Sequence, residues 1–164
     1  MVTKELVQEL RARTGAGMLD CRKALEEAQG NLERALQILQ ERGIAAAAAK
    51  ASRAAAQGTV GAYVHTGGTI GALVLLRCET DFVAQTPVFL TLAKDLAMQV
   101  AAMHPDVIRS EEVAAGARPE EAALLAQPFV KDPAGRQTVG ELIAAKVLEL
   151  GENITVEKFI RFAV

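Results

Sequence analysis

The sequence has 164 residues, enough chain for one ordinary domain or for a small module beside a domain of about 100 residues. Its formal net charge is −2, its pI lies near 5.8 and only 4% of its residues are aromatic, which disfavours a reader of nucleic acid: there is no basic footprint for a phosphate backbone or an anionic membrane, and few rings for stacking bases. The opening MVTKELVQELRAR is charged without an apolar h-region, and no run of about 18 apolar residues occurs, so a soluble, cytoplasmic protein is expected.

Taken in chain order, the first signals are helical. Thr3 is a candidate N-cap, and Leu6, Val7 and Leu10 form one apolar stripe before TGAG (Thr14 to Gly17) breaks the helix. A second helix is predicted from about Met18 to Gln29 with Leu25 and Ala28 inward, closed by Gly30, and Asn31 caps a third. In that third helix Leu32, Ala35, Leu36 and Leu39 recur at helical spacing, and Gly43 is the predicted stop. The alanine-rich stretch Ile44 to Gly58 is composed of the best helix former, so it reads as a semi-rigid helical connector holding the bundle away from the rest of the chain.

From Thr59 the pattern turns to strands. TVGAYVHT and TIGALVLLRC flank Gly67-Gly68, which predicts a two-residue hairpin turn. Thr86-Pro87 then supplies an N-cap with proline at the first helical position, opening a long helix that ends before Pro105. After an irregular segment, Thr138 to Leu150 reads as another helix ended by Gly151, and ITVEKFIRFAV alternates as a last strand. The expected fold class is α+β: residues 1–43 a three-helix module, 44–57 a helical connector, and 58–164 a core of helices on a three-stranded antiparallel sheet.

Catalytic constellations are incomplete. TGAG and GGTIG lack the GxGxxG spacing between strand and helix, and no GxxxxGK[ST] occurs, so turn glycines are expected. Cys21 and Cys78 form no CxxC pair, and His65 and His104 sit in no ligand cluster; reduced thiols and no metal are the expectation. Glu79 and Asp81 could share a face, but a carboxylate pair without a nucleophile, pocket or cofactor motif is equally a solvated strand end. No cofactor is expected, and the protein is not read as an enzyme.

The stretch CETDFVAQT (Cys78 to Thr86) carries the least ordinary feature, a phenylalanine placed where the chain has turned polar. Such strand-to-helix connectors often display functional groups on a rigid scaffold. Phe82 either folds back to cap the core under the long helix or stands displayed, and periodicity does not choose between the two.

Two longer stretches carry a resemblance. LRARTGAGMLDCRKALEEAQGNLERALQILQERG resembles the ubiquitin-associated-type N-terminal module of the bacterial elongation factor Ts family, and CETDFVAQTPVFLTLAKDLAMQVA is similar to that family's core motif. LLAQPFVKDP and GENITVEKFIRF come later in the order of the family's core, so the likeness spans residues 1 to about 106 and 124 to 164. It implies a guanine-nucleotide exchange factor that binds elongation factor Tu, both GDP-bound and nucleotide-free, and promotes GDP release during translation elongation. It also implies a partner-binding loop, Thr80, Asp81, Phe82 and Val83, that enters the partner's GTPase domain and dislocates its Mg²⁺ and phosphate site. From the N-terminal module, Arg11, Met18 and Leu19 match positions facing the same domain. Without the resemblance, the bundle reads as a generic helical interaction module without exchange activity.

The departures are equally specific. Leu19 stands where the family usually has methionine, a volume-conserving change. Between Ser110 and Leu124 there is only EEVAAGARPEEAA, where many relatives carry a longer charged insertion, and the larger C-terminal subdomain of long members is missing, which puts contacts with the partner's distal domains in doubt. The short form of the family can pair through its core, so a homodimer stands among the expected partners, although nothing in the sequence requires it.

Overall fold

The computed structural model describes residues 2–164. Helix α1 (Lys4–Thr14) begins where the Thr3 hydroxyl accepts the Leu6 N–H at 3.3 Å, and ends at Gly15, whose φ of 66° lets its own N–H reach the Arg11 carbonyl. Helix α2 (Met18–Glu27) stops two residues before the predicted Gln29. Gln29 and Gly30 both take positive φ there, and the Gly30 N–H closes onto the Leu25 carbonyl at 2.8 Å. Asn31 caps α3 (Leu32–Lys50) through the Arg34 N–H at 2.9 Å. Leu10, Cys21, Leu25, Ala35 and Leu39 lie at the centre of the small core that these helices enclose.

Helix α3 corrects two expectations. It does not stop at Gly43 but runs on as one rod to Lys50, and the helical connector ends there, before residues 51–56 take irregular backbone. The connector also fails to hold the bundle away. A Cβ at Gly43 would lie 3.2 Å from the Ala144 carbonyl carbon, so the glycine marks a close approach of two helices rather than a helix end, and Ala46 and Ala47 pack on the second core. The cleft lined by Leu36, Leu39, Gly43, Ala145 and Leu148 is closed to about 30 Å³, room for about one water molecule.

The sheet is antiparallel in the order β1 (Gln57–Val64), β2 (Ile70–Cys78), β3 (Thr155–Ala163). Its first hairpin differs from the expected two-residue turn: the His65 N–H bonds to the Ile70 carbonyl, so residues 66–69 form the loop, and the Gly68 N–H returns to the His65 carbonyl at 2.9 Å. On one face Ala72, Val74 and Leu76 of β2 meet Phe89, Leu96 and Val100 of α5 (Pro87–Met103), a helix that begins at the predicted Thr86-Pro87. Gly61 on β1 permits this seating, because a Cβ there would stand 2.1 Å from the Ala93 carbonyl oxygen. The opposite face is left with Val60, Val64, Leu73, Ile160 and Phe162 exposed.

Between these elements lie two short helices, α4 (Asp81–Ala84) and α6 (Pro119–Ala122). The irregular stretch around α6 is fastened by two buried amides. Gln99 of α5 donates to the Gln127 side chain and the Pro128 carbonyl, each at 3.1 Å, and accepts the Val130 N–H at 2.8 Å. Helix α7 (Val139–Leu150) has the expected ends, a capping box of Thr138 with Glu141 and a left-handed Gly151. It packs along the second half of α3, and its Lys146 ammonium reaches the Gly15 carbonyl at 2.9 Å and the Glu149 carboxylate at 2.8 Å. The α+β class is as expected, with the helical module docked on the core.

Candidate functional site

Strand β2 ends at Cys78, and within two residues the chain enters α4, a single turn rather than the open loop expected. Thr80 is its N-cap, with its hydroxyl accepting the Val83 N–H at 3.3 Å. At the other end the Thr86 hydroxyl donates to the Val83 carbonyl at 2.8 Å and accepts the Phe89 N–H at 3.2 Å, so one residue closes α4 and caps α5. The faces of so short a turn are fully determined. Ala84 is buried and Val83 is half-buried against the core, which leaves Asp81 and Phe82 pointing away.

Phe82 is 84% exposed. The choice left open by the sequence is thereby decided for display: the ring caps no part of its own core, which Phe89 fills seven positions later at 0% exposure. Glu79 and Asp81 do not act as a pair. The Glu79 carboxylate turns inward and accepts the Asn153 N–H at 2.7 Å, while Asp81 stays at the surface in the first turn of α4.

Thr80 is held from outside the turn as well. Glu152, just past the end of α7, accepts the N–H groups of Glu79 and Thr80 at 3.0 Å each and the Thr80 hydroxyl at 2.6 Å. Nothing singled out Glu152 in the sequence: it lies within GENITVEKFIRF, but its partners are more than seventy positions away and no local pattern marks it. Burial pushes the Cys78 thiol up, helped by the nearby Glu152 carboxylate and only partly offset by a backbone hydrogen bond from Thr80; it is a poor nucleophile at neutral pH. Burial likewise raises the Cys21 thiol.

The three candidates on the N-terminal module are all at the surface. Arg11 is exposed on α1, and Met18 and Leu19 are 43% and 62% exposed at the start of α2, so none belongs to the bundle core. Arg11 and Met18 line a cleft whose far wall includes Val88, Lys146 and Glu149. Val88 is the second residue of α5, the helix that the Phe82 turn leads into, so the module's candidates border the element next to that turn.

The histidines have structural surroundings. His65 shares a 2.9 Å hydrogen bond with the Tyr63 hydroxyl at the hairpin, and His104 is the left-handed C-cap of α5. Among the described residues no group of three His, Cys, Asp or Glu side chains could hold a metal, and no helix is long and apolar enough to cross a membrane.

This geometry places Phe82, Met18 and Leu19 at the surface, and comparison with known proteins gives it a context. Residues 20–119 match the family model described as Elongation factor TS. The Elongation factor Ts of Carboxydothermus hydrogenoformans is 44% identical, over 99% of this chain and 88% of its own length. Those of Heliobacterium modesticaldum and Acetivibrio thermocellus are 46% and 45% identical, each over 99% of this chain and 89% of their own. These alignments run to 194 positions against a chain of 164 residues, so the relatives carry residues that it lacks. A likeness of this extent, at 44% and 46% identity over 99% of the chain, means that the chain belongs to the elongation factor Ts family of translation elongation factors.

Proposed function

We propose that this protein is a guanine-nucleotide exchange factor: it binds elongation factor Tu, GDP-bound or nucleotide-free, in the cytoplasm and promotes release of its GDP. The observation that carries the reading is Phe82, 84% exposed on a turn whose neighbours on both sides are fixed to the core. The backbone that presents the ring is already ordered, so binding would have to order only the two side-chain torsions of Phe82, which favours a role as an interface anchor.

In this reading Thr80, Asp81, Phe82 and Val83 form the partner-binding turn and have different parts. Phe82 is the wedge, entering an apolar site in the partner's GTPase domain. Thr80 and Val83 set the turn's geometry, and Asp81 places a negative charge beside the ring. A P-loop GTPase holds GDP through backbone donors around the phosphates and an octahedral Mg²⁺ that tolerates little distortion. Displacing the groups around that site weakens the nucleotide, and by linkage the nucleotide weakens the factor equally. The work is done by differential binding, with no covalent step and no cofactor. Arg11, Met18 and Leu19 supply the second part of the surface.

Residues 1–43 act as module and 58–164 as core, a division supported by two separate hydrophobic clusters, with the second half of α3 joining them and packing on the core. The exposed outer face of the sheet, with Val60, Leu73, Ile160 and Phe162, suits pairing with a second copy of the chain. The deciding experiment for the exchange activity is release of labelled GDP from purified elongation factor Tu. Acceleration that saturates with this protein is expected; binding to the loaded GTPase with unchanged release would leave only an interaction module.

A further inference from the structure

Helix α4 is too short to hold itself. Nucleating a helical turn is unfavourable, and four residues return almost none of that cost, so an isolated Asp81–Ala84 segment would be unstructured in water. Its most conspicuous side chain contributes nothing either, since the Phe82 ring lies in solvent. The turn must be imposed by its surroundings.

At its N-terminal end that imposition comes from one carboxylate near the far end of the chain. Oε2 of Glu152 accepts both the Glu79 and the Thr80 N–H, each at 3.0 Å, and Oε1 accepts the Thr80 hydroxyl at 2.6 Å. A hydroxyl has a single proton. With that proton committed to Glu152, only lone pairs of Thr80 Oγ1 face the Val83 N–H, which it accepts at 3.3 Å. Glu152 therefore fixes the polarity of the N-cap as well as the backbone leading into it. Glu79 completes the arrangement from the other side, accepting the Asn153 N–H at 2.7 Å, with the Arg53 guanidinium 3.6 Å from the same oxygen. Residues 79–80 and 152–153 are stapled in both directions.

We infer that Glu152 is a positioning residue for exchange, holding the Phe82 turn in its binding geometry; this rests on the proposed exchange activity. The chemistry explains why a glutamate is needed. All three groups that face it are donors, and an ionised carboxylate is acceptor-only. An amide could keep the two backbone bonds through its oxygen, but its NH₂ would meet the Thr80 hydroxyl as a second donor, so the bond from that hydroxyl would be lost and its proton would no longer be fixed. Aspartate would be one methylene short of the backbone pair.

The test uses the full-length protein with Glu152→Ala, Glu152→Gln, Phe82→Ala and the double variant Phe82→Ala/Glu152→Ala. Two quantities are read: hydrogen exchange of the amides of residues 79, 80 and 83 in the free protein, and assisted GDP release from elongation factor Tu. Glu152→Ala should raise amide exchange at those sites and slow assisted release about tenfold, with Glu152→Gln between it and the wild type. In the Phe82→Ala background, Glu152→Ala should cause no further loss of release, because a positioning residue acts only through what it positions. Equal fold losses in both backgrounds would overturn the inference, and so would unaltered amide protection in Glu152→Ala. If Glu152→Ala does not fold, Glu152→Gln carries the same comparison. If the wild-type protein accelerates no release at all, the exchange reading falls on that result, and protection of the three amides alone still decides whether the clamp exists.

Discussion

Replacing Phe82 by alanine separates display from structural support, and the structure sets both magnitudes. Burying a phenylalanine completely is worth up to ~3 kcal/mol. At 84% exposure less than a fifth of the residue is covered, which limits its contribution to about 0.5 kcal/mol. Alanine recovers a similar amount, roughly 0.5 kcal/mol, because it is the better helix former inside α4. The urea midpoint of Phe82→Ala should therefore lie close to that of the wild type. Phe89 provides the contrast: it is 0% exposed, and Phe89→Ala should lose ~3 to 5 kcal/mol. In the exchange assay the order reverses. Loss of an interface anchor worth ~2 kcal/mol or more corresponds to a thirtyfold or larger fall in partner affinity or assisted release. Asp81→Ala should show the same pattern at smaller size. The assays are equilibrium urea unfolding and single-turnover release of labelled GDP, with rates normalised to folded protein. A Phe82→Ala variant that unfolds as readily as Phe89→Ala, or one that keeps both its midpoint and its exchange rate, would refute the reasoning.

Residues 44–164 should fold without the module, because the second hydrophobic cluster includes Ala46 and Ala47 but no residue before them. Loss of cooperative urea unfolding in that fragment would show that the boundary at residue 43 is misplaced. Phe162→Glu, on the outer sheet face, should shift any dimer to monomer in sedimentation velocity without lowering the urea midpoint, since Phe162 is 68% exposed. A wild-type protein that sediments as a monomer at high micromolar concentration would exclude pairing through that face.

Much of this architecture was legible because its signals are local. Thr3, Asn31, Thr86-Pro87 and the Thr138 to Gly151 frame are cap residues that work within one helical turn, and they define helix ends where the sequence predicts them. Gly43 misleads because glycine has two uses that look identical in a sequence. It ends helices, and it also removes a Cβ where another backbone comes close; here Ala144, a hundred positions away, requires the second. The pair Gly67-Gly68 predicted a tight turn, but the pairing of His65 with Ile70 sets a longer loop, and register is a property of two strands together. Phe82 drew attention because its neighbours are polar, yet only the burial of Val83 and Ala84 determines which way it points. Glu152 left no trace at all, as its three bonds join segments more than seventy positions apart.

Helix α3 belongs to both halves of the molecule. Its first part carries Ala35, Ile38 and Leu39 into the bundle core, and its last part lays Ala46 and Ala47 on the sheet domain. No hinge separates them, because the rod is unbroken through Gly43 and the backbone contact with Ala144 leaves little room for tilting. The spacing between Arg11, Met18 and Leu19 on one side and Phe82 on the other is thus a fixed gauge. For a ligand with two footholds this matters kinetically: once one foothold is taken, a rigid frame presents the other at high effective concentration, whereas a flexible tether dilutes it over every length the tether can reach. The same gauge is also a filter, since a GTPase whose two complementary sites lie at another separation is offered only one of them at a time.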